Sequence, residues 1–422
     1  MVVAGLVVLT TACSSSSSHT NFSTSVPATR PPTTVVPPTT TTLPRLVSAA
    51  IVQSPSADIG YSTLNDVSCP SNDECLAVGY SAADSIMAPK RLLAERWDGR
   101  TWSILPVVAP GRHGSFFTGV DCPAVDACIA VGNSPDVNGP VPFAARWDGN
   151  GWTATPIPIP AGAGSALLND VACGTRSDCV GVGASFQRPG ANHGLPLVER
   201  WDGTQWTSTA VAVPPNARGG GALASVDCPA SGDCHAVGRA YLSADDQNNS
   251  AGMLAEHLMD GAWRLERLAD PHASNMGGYP ALFGVSCASE QSCVAVGQTA
   301  QDPGNDLVVS ESWDGTAWKL VPVPVPSPDT YYSSATGIDC ASSLDCVLVG
   351  NSTSDKSGQQ SIVARYSRGV WSPVEHSTAP TLFNPNDVSC ASGGVCFAVG
   401  TAQIGERSLT TTLLIRQASV VP

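Results

Sequence analysis

The chain has 422 residues, of which 42% are hydrophobic and only 13% charged, with 34 Pro and 40 Gly. Few charges and many turn-formers suit short strands better than long exposed helices. A formal net charge of −14, with only 21 Lys and Arg spread along the chain, excludes the clustered cations that a nucleic-acid partner requires.

Residues 1–12 open the chain with an apolar run of small and aliphatic residues, MVVAGLVVLTTA, which reads as a signal peptide too short to span a bilayer. With Cys13 the segment resembles a bacterial lipoprotein signal, although no Lys or Arg precedes the run and Thr10 stands where that family usually carries Leu. The resemblance implies that Cys13 is lipidated and becomes the mature N-terminus; an ordinary cleaved signal with a stray cysteine is the other reading. Residues 13–44 then combine the anchor cysteine with a Ser/Thr/Pro tract that has nothing to build a core from, predicting a disordered stalk. As extended polyproline at about 3.1 Å per residue, the stalk would reach on the order of 90 Å. Export to the outer face of the cytoplasmic membrane follows, with membrane contact only through the lipid and the folded part a monomer.

Residues 45–422 repeat. The pairs Cys69/Cys75, Cys122/Cys128, Cys173/Cys179, Cys228/Cys234, Cys287/Cys293, Cys340/Cys346 and Cys390/Cys396 are all C-x5-C, at intervals of 53, 51, 55, 59, 53 and 50 residues. A glycine stands four residues after each second cysteine, from Gly79 to Gly400, and most copies continue to W-D-G-x-x-W, the motif that holds all 10 tryptophans once its shortened forms MDGAW at Trp263 and SRGVW at Trp371 are included. Each copy reads as four short strands: A runs into the first cysteine, B runs out of the second, and C and D flank the Asp-Gly hairpin. The last copy stops before any strand D, while LVSAAIVQSPS at residues 46–56 precedes the first strand A. The predicted fold is therefore all-β: a seven-bladed β-propeller, four strands per blade, its ring closed by an N-terminal strand that completes the last blade.

Fourteen of the 15 cysteines form the repeated pairs and Cys13 is the remainder, so each pair is expected to be a disulfide that staples its own hairpin and does not link blades. Zinc is the rival, but no copy supplies a second pair or a matching His at the usual spacing. The tryptophans are expected to fill the gaps between neighbouring sheets, with sugar stacking as the other use. Their hairpin resembles the Asp-box of sialidase-like propellers, which is structural there, though Asp and Gly are adjacent in this chain. His235 replaces an aliphatic or Phe residue of the other copies and reads as a packed core histidine ahead of a ligand.

Strand A would line the central channel, and six copies place an Asp there: Asp66, Asp170 and Asp387 three residues before the cysteine, Asp121, Asp227 and Asp339 one before it. These share a strand face. They either bond local backbone or form a ring for a hard cation. No cofactor is implied.

The strand order puts the uniform A–B and C–D hairpins on one side and the irregular B–C and D–A loops on the other, where ligand contacts are expected. The individual residues there are Arg112, His113, Phe116, Phe117, His193, Tyr241, His272, Tyr279, Tyr331 and Tyr332. No catalytic constellation is legible. The phrases VxCPSxxxCxAVG and ERWDGTxW resemble a group of actinobacterial exported repeat proteins, a likeness that covers residues 45–422, implies an envelope address and brings no activity. The expected function is a non-enzymatic display propeller binding a protein or glycan on its variable face. A polysaccharide hydrolase or lyase is the first alternative and an envelope-assembly scaffold the second.

Overall fold

Short apolar runs punctuated by turn residues give an almost wholly antiparallel β structure. The computed structural model describes residues 46–55, 61–83, 88–111, 114–188, 190–191, 193–209, 211–243, 251–269, 280–302, 305–325, 327, 329–374, 383–392, 394–404 and 407–417. The expected signal, Cys13 and the stalk lie outside the described residues.

Strand β1 is Leu46–Gln53. Units of four then follow: β2 Tyr61–Ser71, β3 Glu74–Ala82, β4 Arg91–Trp97 and β5 Trp102–Ile104; β6 Phe116–Ala124, β7 Ala127–Asp136, β8 Gly139–Trp147 and β9 Trp152–Pro156. Next come β10 Ser165–Thr175, β11 Asp178–Phe186, β12 Leu195–Trp201 and β13 Trp206–Thr209; β14 Gly220–Ala230, β15 Asp233–Tyr241, β16 Ala251–Met259 and β17 Ala262–Leu265. They continue as β18 Ala281–Ser289, β19 Ser292–Asp302, β20 Asn305–Trp313 and β21 Trp318–Leu320; β22 Thr330–Ser342, β23 Asp345–Ser354, β24 Gly358–Ser367 and β25 Val370–Pro373. The chain ends in β26 Phe383–Cys390, β27 Val395–Ile404 and β28 Arg407–Gln417. Consecutive strands pair within each unit, and β1 pairs antiparallel with β28, so the first strand completes the last sheet. A single parallel bridge, Asp306 to Tyr332, joins two neighbouring units edge to edge.

The repeated glycine explains the innermost strand pair. A Cβ on Gly79 would lie 2.1 Å from the Thr63 carbonyl oxygen, one on Gly183 2.1 Å from that of Leu167, and one on Gly400 2.1 Å from that of Asn384. Only glycine permits this approach of two backbones. Opposite it the register slips by one residue in every unit, for example between Leu64 and Asp66, leaving Asn65 as the extra residue of a β-bulge. The bulged residues are Asn65, Thr118, Asn169, Ala224, Phe283, Thr336 and Asn386.

Apolar cores lie between successive sheets. Val78 and Ala94 pack with Phe117 and Phe143 of the next unit, and Phe397 and Val399 of the last unit pack with Leu64 and Trp97 of the first. Phe397 stands 5.0 Å from the Trp97 ring and 5.3 Å from that of Trp102. The tryptophan pairs are thus inter-sheet packing, and each fully buried large side chain stabilises by about 1.5–3 kcal/mol. In the W-D-G turns the Asp carboxylate accepts from the backbone two and three residues on, as Asp98 does from Arg100 and Thr101, while Gly99 holds φ +89°.

Disulfides join Cys69 to Cys75, Cys122 to Cys128, Cys173 to Cys179, Cys228 to Cys234, Cys287 to Cys293, Cys340 to Cys346 and Cys390 to Cys396, with Cα atoms 3.9–4.1 Å apart. All seven expected bonds are present, each within its own unit, and their sulfurs serve a second purpose in the core. The second cysteine of each pair is buried: Cys75, Cys128, Cys179, Cys234, Cys293, Cys346 and Cys396 are at most 2% exposed. Each begins the second strand of its unit with its side chain on the face that meets the preceding sheet. Cys75 packs with Phe397, Cys128 with Val78, Cys179 with Val131 and Cys234 with Val182. Cys293 packs with Val237, Cys346 with Val296 and Cys396 with Val349. The covalent bond stays within one unit, but its sulfurs are part of the apolar core between units and offer no accessible thiol. Repeated disulfides belong to an oxidising compartment, so the folded region is exported.

Candidate functional site

The innermost strands line a common channel. One cavity of about 270 Å³ is lined by Asp66, Asp121, Asp170, Asp227, Asp339 and Asp387. A second, of about 100 Å³, lies nearer the start of these strands and is lined by Asn65, Asn169, Asn386 and the carboxyls of Asp66, Asp170 and Asp387.

These side chains form a belt from unit to unit. Each bulged Asn or Thr donates to a carbonyl of the next unit: Asn65 to Phe117, Thr118 to Leu168, Asn169 to Leu223, Thr336 to Pro385, and Asn386 to Leu64, at 2.6–2.9 Å. One residue before six of the seven first cysteines (Ala172 is the exception), an Asp or Ser accepts from the next unit's cysteine N–H. The acceptors are Ser68 for Cys122, Asp121 for Cys173, Asp227 for Cys287, Ser286 for Cys340, Asp339 for Cys390 and Ser389 for Cys69. Asp66 and Asp170 do the same three residues before the cysteine, accepting from Val120 and Val226. Asp66, Asp121, Asp170 and Asp227 each also accept from the N–H of their own following residue. Backbone N–H groups thus engage both oxygens of each of these four carboxyls.

Enclosure by the channel wall raises the carboxyl pKa values despite those bonds. Desolvation pushes Asp121 to about 6 and Asp170, Asp227 and Asp387 to about 7, and lifts Asp339 in the same direction. Asp66 is raised well above the usual carboxylate range, first by burial and then by the charge of Asp387 and a hydrogen bond with it. At neutral pH the channel therefore holds exchangeable protons on carboxyl groups.

The variable-face residues gather in three separate places. Phe116 begins β6 and meets Tyr80 edge-on at 6.2 Å, with the Lys90 ammonium 4.1 Å from the Tyr80 ring and 4.2 Å from that of Phe116. Tyr61 stacks on Tyr80 at 6.4 Å. His193 stacks on Tyr241 at 4.1 Å. Tyr331 and Tyr332 are exposed on β22, and the Tyr332 hydroxyl donates to Gln298. Phe117 needs correction: it is fully buried between sheets against Phe143 and Trp152, because the residue after Phe116 points to the opposite face of the strand. Arg112, His113, His272 and Tyr279 lie outside the described residues. Tyr61, Tyr80, Lys90 and the belt serines escape the sequence reading, since each works only through a residue about 50 positions away or across a strand pair.

No family model and no curated protein matches the chain. Solved structures are similar to it. The GH74 xyloglucanase from Xanthomonas campestris is 12% identical, with a TM-score of 0.52 over 86% of this chain and 55% of its own. The β-propeller domain of the Trilobed protease from Pyrococcus furiosus is 7% identical, with a TM-score of 0.47 over 84% of this chain and 95% of its own. The α-L-arabinanase of Penicillium chrysogenum is 12% identical, with a TM-score of 0.41 over 88% of this chain and 98% of its own. The repeat of four-stranded antiparallel sheets, with their innermost strands lining one cavity, is of the propeller type. The expectation of a non-enzymatic display module is corrected here, since the solved structure that is similar over 86% of this chain is that of an enzyme, the xyloglucanase. At this identity the likeness itself establishes the fold alone.

Proposed function

We propose that the protein is an exported polysaccharide hydrolase whose catalytic groups are the channel carboxyls Asp66, Asp170 and Asp387. The observation that carries this reading is the rise of Asp170 and Asp387 to about 7, and of Asp66 well above its usual range. A carboxyl that keeps its proton at neutral pH serves as general acid toward a glycosidic oxygen, and an ionised neighbour serves as base or nucleophile. In this reading the hydrogen-bonded Asp66–Asp387 pair holds the proton, and Asp170, at about 7, acts as partner in its ionised fraction near neutral pH. The exposed Tyr331 and Tyr332, the Tyr80–Phe116 group and the His193–Tyr241 stack seat sugar rings on the same side.

The architecture belongs to the same proposal: seven blades in a closed ring, with β1 completing the last blade. Supporting it are the β1–β28 pairing and the bonds from Asn386 and Ser389 to the first unit. Residues 1–12 as signal, a lipidated Cys13 and a stalk to residue 44 hold the catalytic domain off the membrane.

The test is release of reducing ends from a panel of plant, fungal and bacterial polysaccharides, with Asp66→Asn and Asp170→Asn beside the wild type. Turnover by the wild type that falls at least a hundredfold in either variant is expected. Wild-type protein that folds and cleaves none of the panel overturns the reading, and unsaturated product ends would reassign it to a lyase.

A further inference from the structure

A second group of titratable side chains lies away from the channel, in the unit β14–β17. His235 on β15 and His257 on β16 are directly cross-strand, both buried, and their rings stack at 3.8 Å with 21° between planes. Elsewhere the first position is aliphatic or Phe, and in three other units the second is an Arg that pairs with the carboxylate before the second cysteine. Arg96 pairs with Glu74, Arg200 with Asp178 and Arg365 with Asp345. In this unit both positions are histidine, and the carboxylate is Asp233, whose Oδ1 lies 3.0 Å from His257 Nε2.

We propose that Asp233, His235 and His257 bind one transition-metal ion of the zinc class. One ligating atom from each of the three lies within 4.8 Å of the others. Ligand bonds of about 2.0–2.2 Å around a tetrahedral ion put its donors roughly 3.3 Å apart, close to the 3.0 Å seen between His257 and Asp233. His235 is completely buried, and its Nε2 has no hydrogen-bond partner. A buried imidazole nitrogen without a partner is costly unless something else binds it.

Glu266 supplies the support that ligating histidines require. Its carboxylate lies 3.4 Å from His235 Nδ1 and 3.2 Å from His257 Nδ1, and the Trp318 indole N–H fixes it at 2.6 Å. The carboxylate faces His257 Nδ1 without a hydrogen bond, and closing that contact on metal binding would set the tautomer that leaves Nε2 as the metal ligand. Asp233 is only partly buried, which leaves a route for the ion from solvent. Glu266 is a positioning residue.

The test is titration of the chelator-treated full chain with Co²⁺, read by its ligand-field absorption, and then with Zn²⁺ in competition. One Co²⁺ per chain is expected, displaced by Zn²⁺. His235→Leu and His257→Arg restore the residues of the first unit, Leu76 and Arg96, and should each weaken binding at least tenfold without lowering the melting temperature. Glu266→Gln should weaken it roughly 10–100-fold. Absence of stoichiometric binding by the wild type overturns the proposal, as does wild-type affinity in both histidine variants.

Discussion

Asp66 and Asp387 hydrogen-bond through their carboxyl groups where the innermost strands of the first and last units meet. At other joints an Asp in this register faces Gly or Ser: Gly119 lies against Asp170, Asp170 bonds Ser225, and Gly337 lies against Asp387. The channel carboxyls titrate in the folded chain near 6–7, above the roughly 3.9 of an unfolded Asp. Between about pH 4 and pH 7 the folded state therefore binds more protons than the unfolded state. Their contribution is fully present below about pH 4 and is lost as pH rises through 7. The melting temperature should fall between pH 5 and pH 8, each group contributing at most about 1.4 kcal/mol per pH unit. Asp387→Asn should flatten that slope. A melting temperature that rises over this range would refute the assignment.

The belt makes an independent test of closure. Asn386 Nδ2 donates to the Leu64 carbonyl at 2.7 Å, across 322 residues of chain, just as Asn65 Nδ2 donates to Phe117 at 2.6 Å across 52. A net hydrogen bond contributes about 1 kcal/mol. If the last unit meets the first as its neighbours meet one another, Asn386→Ala and Asn65→Ala should lower the urea midpoint equally. An Asn386→Ala protein indistinguishable from wild type would leave the two ends unjoined.

The repeat was legible because it is written in residues with narrow uses: cysteines at one spacing, Asp-Gly turns and a glycine in register. The belt was not. Asn65, Asn169 and Asn386 look like ordinary polar residues in an alternating strand, and a bulge has no signature of its own beyond the glycine opposite it. The same slip decides which of two adjacent residues faces a channel or a core, so residue type could not separate Phe116 from Phe117. Spacing also identified each disulfide without revealing that Cys75, Cys234 and their equivalents face the preceding sheet, because C-x5-C describes a hairpin and says nothing about what lies over it. His235 was visible as an exception, but its companions His257, Asp233 and Glu266 come from other strands or positions, and only the folded sheet assembles them.

Gly183→Ala tests the bulge directly. The added methyl would lie 2.1 Å from the Leu167 carbonyl oxygen and 2.9 Å from the Leu168 Cα, both backbone atoms that cannot rotate aside. The strands must separate, which opens the register that places Asn169 against Leu223. A loss of roughly 3 kcal/mol is expected from overpacking with a broken belt bond, measured by urea unfolding. Gly190→Ala, in a loop with open space around it, is the control and should cost far less even though its φ is +73°.

Phe116 and Phe117 should respond in opposite ways to the same substitution. Phe117 is fully buried, its ring 5.6 Å from Phe143 and 6.0 Å from Trp152, so Phe117→Ala leaves a cavity between two sheets. Truncating such a ring costs about 3–5 kcal/mol. Phe116 is half-buried and touches Tyr80 and the Lys90 ammonium at the loop side of the first two units. Phe116→Ala should leave the melting temperature nearly unchanged while raising the KM for a polysaccharide severalfold, because a stacking surface is lost and no packing is. Both quantities are read on the same purified variants, by thermal melting and by reducing-end kinetics. A Phe116→Ala protein with unaltered KM would remove this aromatic group from the proposed sugar-binding face, and a stable Phe117→Ala protein would contradict its place in the core.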